Sequence, residues 1–158
     1  MSNEIGSRGE FIFAMLLSRR DAVQKSLFKP IFLGDKQPTV DFYVDLLNYP
    51  HKKGFFFASV KATTLGYTAD GTKLKILVDK AELSELLKYP TPTYLFGIDA
   101  VEEKGYFINV NHINTHNNLN GLSVKYPINV QNISALWEEV KQFWDINHSI
   151  HAFTSKFN

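Results

Sequence analysis

The sequence contains no cysteine, which at once excludes a disulfide framework, a thiolate metal centre and a cysteine nucleophile. It has no apolar run near the roughly 18 residues that a membrane span needs. Its first ten residues, MSNEIGSRGE, lack the basic-then-apolar layout of a signal peptide. The expectation is a soluble, cytoplasmic protein. Glycine-rich phosphate loops are missing as well, because Gly66, Gly71, Gly97 and Gly105 stand singly. Neither repeats nor linkers divide the 158 residues, which read as one domain: a core over about 4–110, with a loop and helix over 111–158 as an extension. Charge of one sign is scarce, since the net is only +1. The sum hides an asymmetry: residues 1–80 hold twelve Lys/Arg against eight Asp/Glu, and residues 81–158 hold five against eight. A basic first half suits a polyanion and equally an ordinary solvated surface.

Apolar residues are plentiful, 44% of the chain with thirteen Phe, enough for a sizeable core. Helical periodicity runs over about 4–20, with Ile5, Phe13, Leu16 and Leu17 on one stripe. Residues 22–34 carry Lys29-Pro30, which favours an extended connection. Strands are expected at about 40–48, 55–62 and 74–78. Asp79 then caps a helix through about Lys88, with Glu82 at its third position. A doubly buried strand at 93–100, a turn at Glu103-Lys104-Gly105 and a strand at 106–110 follow. The Asn-rich stretch 109–121 reads as a loop, and a helix spans about 133–147. The order α-β-β-β-α-β-β-α describes an α/β domain with a central mixed sheet flanked by helices.

Chemistry concentrates in PTVDFYVDLLNYPHKKGFFFASVKATT, residues 38–64. Strand alternation puts Asp41, Tyr43 and Asp45 on one face, and Ser59 and Lys61 on one face of the next strand. A turn centred near His51 would set Asp41 opposite Lys61 and Tyr43 opposite Ser59. Two readings stand: a structural Asp–Lys cross-strand pair, or a carboxylate holding Mg²⁺ or Mn²⁺ with an ammonium beside the substrate. Other candidates are less specific. His112 and His116 lie four apart in the Asn-rich segment without a third ligand close in sequence, and His148 and His151 lie near the C-terminus. Trp137 and Trp144 suit core or dimer packing better than base stacking. Glu82, Glu85, Glu102, Glu103, Glu138 and Glu139 read as solvated helix faces and turns.

Glu10 in IGSRGEFIF, Asp41 in PTVDFYVDL and Ser59-Val60-Lys61 in FFASVKATT together resemble the PD-(D/E)XK, or restriction-endonuclease-like, nuclease superfamily. That family orders a helix with a glutamate, a strand with a metal-binding aspartate, then a strand carrying an acid or amide, any residue, and lysine. The resemblance covers about residues 5–110. It is nearest to a small bacterial family of unknown function that is similar to Holliday-junction resolvases and associated with phage defence. It implies metal-dependent hydrolysis of DNA phosphodiesters, in phage defence or DNA repair, on phage or branched DNA, with a homodimer plausible for cutting two strands. It also implies roles: Asp41, Glu10 and the Val60 carbonyl at Mg²⁺ or Mn²⁺, and Lys61 on the attacking water or developing charge. Arg8, Thr63 and Thr64 would hold phosphate, and His51, Lys52, Lys53, Lys73 and Lys75 would track the backbone. One departure is plain. Position 59 carries serine, a poor Mg²⁺ ligand, where the pattern has an acid or amide. A nuclease-fold protein that has lost catalysis and binds nucleic acid or protein is therefore the alternative reading.

Overall fold

The computed structural model describes residues 2–50, 52–147 and 154–157. The chain is a mixed α/β domain. A first helix, α1 (Ser2–Leu17), leads to strands β1 (Phe28–Phe32), β2 (Phe42–Leu46), β3 (Phe55–Thr63) and β4 (Lys73–Val78). Helix α2 (Lys80–Leu86) follows, then β5 (Thr93–Asp99), β6 (Lys104–Asn109), β7 (Leu119–Ser123) and helix α3 (Val130–Asn147). Five strands form one sheet in the order β1-β2-β3-β5-β6, and β4 pairs with β7 in a separate ribbon. Only β3 and β5 run parallel; the other pairings are antiparallel.

Each face of the sheet is covered. On one, Phe13, Leu16 and Leu17 of α1 and Ile133, Leu136 and Val140 of α3 pack on Phe42, Phe56, Val60 and Phe96. The Phe13 ring lies 4.8 Å from Phe42 and 4.6 Å from Phe96; burying such a ring contributes about 1.5–3 kcal/mol. Helix α1 approaches β3 closely because Gly9 has no side chain: a Cβ there would sit 2.3 Å from the Ala62 Cβ. On the other face, Leu74, Ile76 and Val78 of β4, Leu122 of β7 and Leu83 and Leu86 of α2 pack on Leu95 and Phe57. Gly97 of β5 makes room there, since a Cβ would meet Leu122 Cδ2 at 2.7 Å.

The structure adds two strands to the expected order. β1 contains Pro30, which lacks a backbone donor and is tolerated because β1 is an edge strand. β7 begins in the end of the Asn-rich stretch, where a single buried anchor just beyond it, Leu122, and pairing with β4 override a loop-like composition. The region expected as an extension thus supplies a ribbon strand and a core helix. Helix α2 begins as its cap predicts, with the Asp79 carboxylate accepting the Glu82 amide proton at 2.8 Å. Every residue of β5 is buried, matching its uninterrupted apolar sequence.

Candidate functional site

The β2–β3 hairpin sets the site's geometry. Its register pairs Phe42 with Ala58, Tyr43 with Phe57, Val44 with Phe56 and Asp45 with Phe55. The expected pairing is therefore corrected by two residues: Tyr43 faces Phe57 rather than Ser59, and Asp41, just outside β2, donates its amide to Ala58 O at 2.9 Å rather than standing opposite Lys61. The hairpin closes one step earlier, with the Leu46 amide donating to Gly54 O at 2.9 Å. Two tryptophans fix it there: Trp137 donates to Leu47 O at 2.9 Å and Trp144 to Phe55 O at 2.8 Å. A shift of two preserves the face of every side chain. Ser59 and Lys61 thus share the face covered by α2 and the ribbon, as alternation predicts, and the Asp41 carboxylate, just before β2, lies within electrostatic reach of Lys61 and Glu82.

β2 begins only at Phe42, so beyond Ala58 β3 runs on without a strand partner on that side. The Asp41 carboxylate fills the gap: its Oδ2 accepts the Val60 amide proton at 2.6 Å. Burial raises the Asp41 pKa above its ordinary 3.8; the Val60 hydrogen bond and the Lys61 ammonium pull it down, and the Glu82 carboxylate pushes it up again. Within a strand, one residue's N–H and C=O point to the same side, so the Val60 carbonyl also opens toward Asp41.

Lys61 meets Glu82 of α2, with Nζ 2.5 Å from Oε1 and both side chains largely shielded. Glu82 belongs to the site, contrary to its reading as a solvated helix residue. From its position three after the Asp79 cap, its carboxylate reaches across to β3. No local pattern reveals this, because the pairing depends on how α2 lies over the sheet. Ser59 is fully buried, and among the described residues its hydroxyl has no hydrogen-bond partner. The cluster is thus Asp41, Lys61 and Glu82 around a buried serine, with a carboxylate that charges reluctantly and an ammonium held in place.

The remaining candidates separate. α1 lies on the opposite face of β3 through its Gly9–Ala62 contact, and Glu10 follows on that helix. Among the described residues no three His, Cys, Asp or Glu side chains gather to hold a metal ion, so Glu10, Asp41 and Glu82 form no three-carboxylate cradle. Asp45 lies four strand residues from Asp41, about 13 Å away, and its neighbour Tyr43 is pushed up to about 12 by burial and by a hydrogen bond to Asp45. Arg8 donates to Ala100 O at 2.9 Å and pairs with Glu103 at 2.9 Å. Thr63 is buried with Oγ1 accepting from the Leu65 amide at 3.0 Å, while Thr64 is exposed. Lys52 donates to Trp144 O at 3.1 Å. Lys52 and Lys53 sit before β3, and Lys53 lies eight residues, about 26 Å of strand, from Lys61. Lys73 and Lys75 stand exposed on β4. His112 and His116 are exposed and off any helix of four residues or more. His51, His148 and His151 lie outside the described residues.

No family model matches the chain, and neither a curated protein nor a solved structure matches it. Among the described residues no helix is long and apolar enough to cross a membrane.

Proposed function

We propose that the protein is a metal-dependent DNA endonuclease built on a restriction-endonuclease-like fold. The observation that carries the reading is the part-buried Asp41 carboxylate, held by the Val60 amide at 2.6 Å, beside an ammonium that a second carboxylate holds. A structural pair needs one acid for Lys61; this site has two.

The donor set fits Mg²⁺ or Mn²⁺. It offers oxygens only, and Mg²⁺ commonly takes one or two protein carboxylates and completes its shell with water and phosphate. Asp41, Glu82 and the Val60 carbonyl would hold the ion, with Glu82 standing in for the acid that position 59 lacks. When bound, such an ion supplies charge neutralisation at a phosphate and a water of lowered pKa. Lys61 places a fixed positive charge where negative charge develops on the phosphate, or orients the attacking water. Val60 holds Asp41 in one orientation through its amide. α2, lying over the face, shields part of the Lys61 side chain from water.

The fit is tested by Mn²⁺ titration, read by electron paramagnetic resonance and by the rise in melting temperature. Wild type binds, and Asp41→Asn and Glu82→Gln each lose most of the affinity; equal binding by all three sinks the assignment. Ser59 supports a second reading, a nuclease fold retained for binding. Its buried hydroxyl cannot replace a carboxylate, and on that reading the Lys61–Glu82 pair closes the site rather than serving it. DNA binding without metal-dependent cleavage is the outcome that favours it.

A further inference from the structure

A basic ribbon with an apolar crest lies beside the candidate site. Outward positions on β4 are Lys73, Lys75 and Leu77, alternating with buried Leu74, Ile76 and Val78. The segment before it runs alongside, tied by the Lys75 amide donating to Gly66 O at 2.9 Å and by a bridge between Tyr67 and Leu74. Leu65 on that segment is 73% exposed and Leu77 is 65% exposed. With Lys75 and Asn120 they line a groove of about 350 Å³.

The ribbon is bulged where these residues sit. Its register moves from Leu74 opposite Leu122 to Leu77 opposite Asn120, so Lys75 and Ile76 face the single residue Gly121. Gly121 has φ +87°, and a Cβ there would lie 3.1 Å from both Cβ and Cδ of Lys73. The bare glycine thus lets the Lys73 stem cross the ribbon, and the bulge turns β4 outward. Neither Lys73 nor Lys75 takes part in an ion pair among the described residues. The acid in the adjoining turn, Asp70, is already bonded to Thr68 and Thr72.

Resting on the nuclease reading, we propose that this ribbon docks the DNA and selects a duplex with an unstacked base step. Lys73 and Lys75 take neighbouring phosphates, and Leu65 and Leu77 press against the opened step. Charge selects the occupant: two unpaired lysines suit a polyanion, whereas a second copy would set the same positive face against itself. The leucines select the form, because apolar side chains inserted at a base step unstack it, which costs least where pairing is already broken. Lys61 is four residues from Leu65, at most about 14 Å of chain, so a strand seated on the ribbon passes within reach of the cluster.

The test is fluorescence anisotropy with a 30-bp duplex, fully paired or carrying a two-nucleotide bulge, across a salt series without divalent metal. Wild type should prefer the bulged DNA about tenfold. Lys73→Ala with Lys75→Ala should weaken both DNAs and lower the salt slope by about 2, near 0.9 for each phosphate. Leu65→Ser with Leu77→Ser should weaken the bulged DNA about tenfold more than the paired one. Unchanged melting curves confirm that these exposed positions leave the fold intact. Ribbon variants that bind with wild-type affinity, slope and preference overturn the proposal while leaving the nuclease reading standing. So do charge variants that alter oligomeric mass and not DNA binding, which would make the face a protein interface. Wild type that neither binds nor cuts any DNA removes the nuclease reading and the ribbon with it.

Discussion

Asp41 separates a structural ion pair from a functional carboxylate through stability alone. Its pKa lies above 3.8 chiefly because of burial. A carboxyl that binds its proton more tightly folded than unfolded makes its charged form a cost to folding. That cost is absent below the unfolded value, grows as pH rises, and is complete once pH passes the folded value. At neutral pH, Asp41→Asn removes the charge and keeps an acceptor for the Val60 amide, now bonded at 2.6 Å. Asp41→Ala removes the acceptor as well and leaves the amide of Val60, a residue 9% exposed, without a partner. An unpaired buried donor costs about 1–3 kcal/mol, or roughly 2–12 °C in melting temperature at about 2–4 °C per kcal/mol for a domain of this size. Thermal unfolding by circular dichroism from pH 4 to 8, without divalent metal, should place Asn at or above wild type near pH 7, the advantage shrinking toward pH 4. Ala should melt below Asn by that 2–12 °C at every pH. Asn falling as far as Ala at pH 7 would refute the reasoning, because the charge would then be holding the fold together through Lys61.

Ser59→Ala removes a fully buried hydroxyl that has no partner among the described residues, so urea unfolding should show unchanged stability or a gain of up to about 1 kcal/mol; a clear loss would mean the hydroxyl is bonded in solution. Gly9→Val drives a side chain into Ala62, where even a Cβ would stand at 2.3 Å, and should cost about 1–3 kcal/mol in the same assay. Trp144→Phe keeps an aromatic ring but deletes the donor to Phe55 O, for a loss of about 1 kcal/mol.

The faces of the hairpin were legible in the sequence because strand alternation is strict, and a register error of an even number of residues leaves them intact. Register itself was not legible. It depends on Trp137 and Trp144, about ninety positions away, bonding the carbonyls of Leu47 and Phe55. The buried strand β5 and the Asp79 cap were readable from local pattern. β1 and β7 were not, because Pro30 and the Asn-rich composition argue against strands and only pairing with neighbours makes them so. At the site, alternation put Ser59 and Lys61 on one face, and the family resemblance singled out Asp41 and Lys61 as candidates. Glu82 did not, since its carboxylate comes to Lys61 by the packing of α2 over the sheet.

Metal-dependent cleavage tests the central claim most directly. Supercoiled plasmid incubated with Mn²⁺ should be nicked by wild type. Removing the fixed charge with Lys61→Met, or the second acid with Glu82→Gln, should lower the rate at least about 100-fold, with the fold intact by circular dichroism. Wild type that leaves the plasmid supercoiled at every Mn²⁺ concentration, or Lys61→Met that nicks at the wild-type rate, would contradict it.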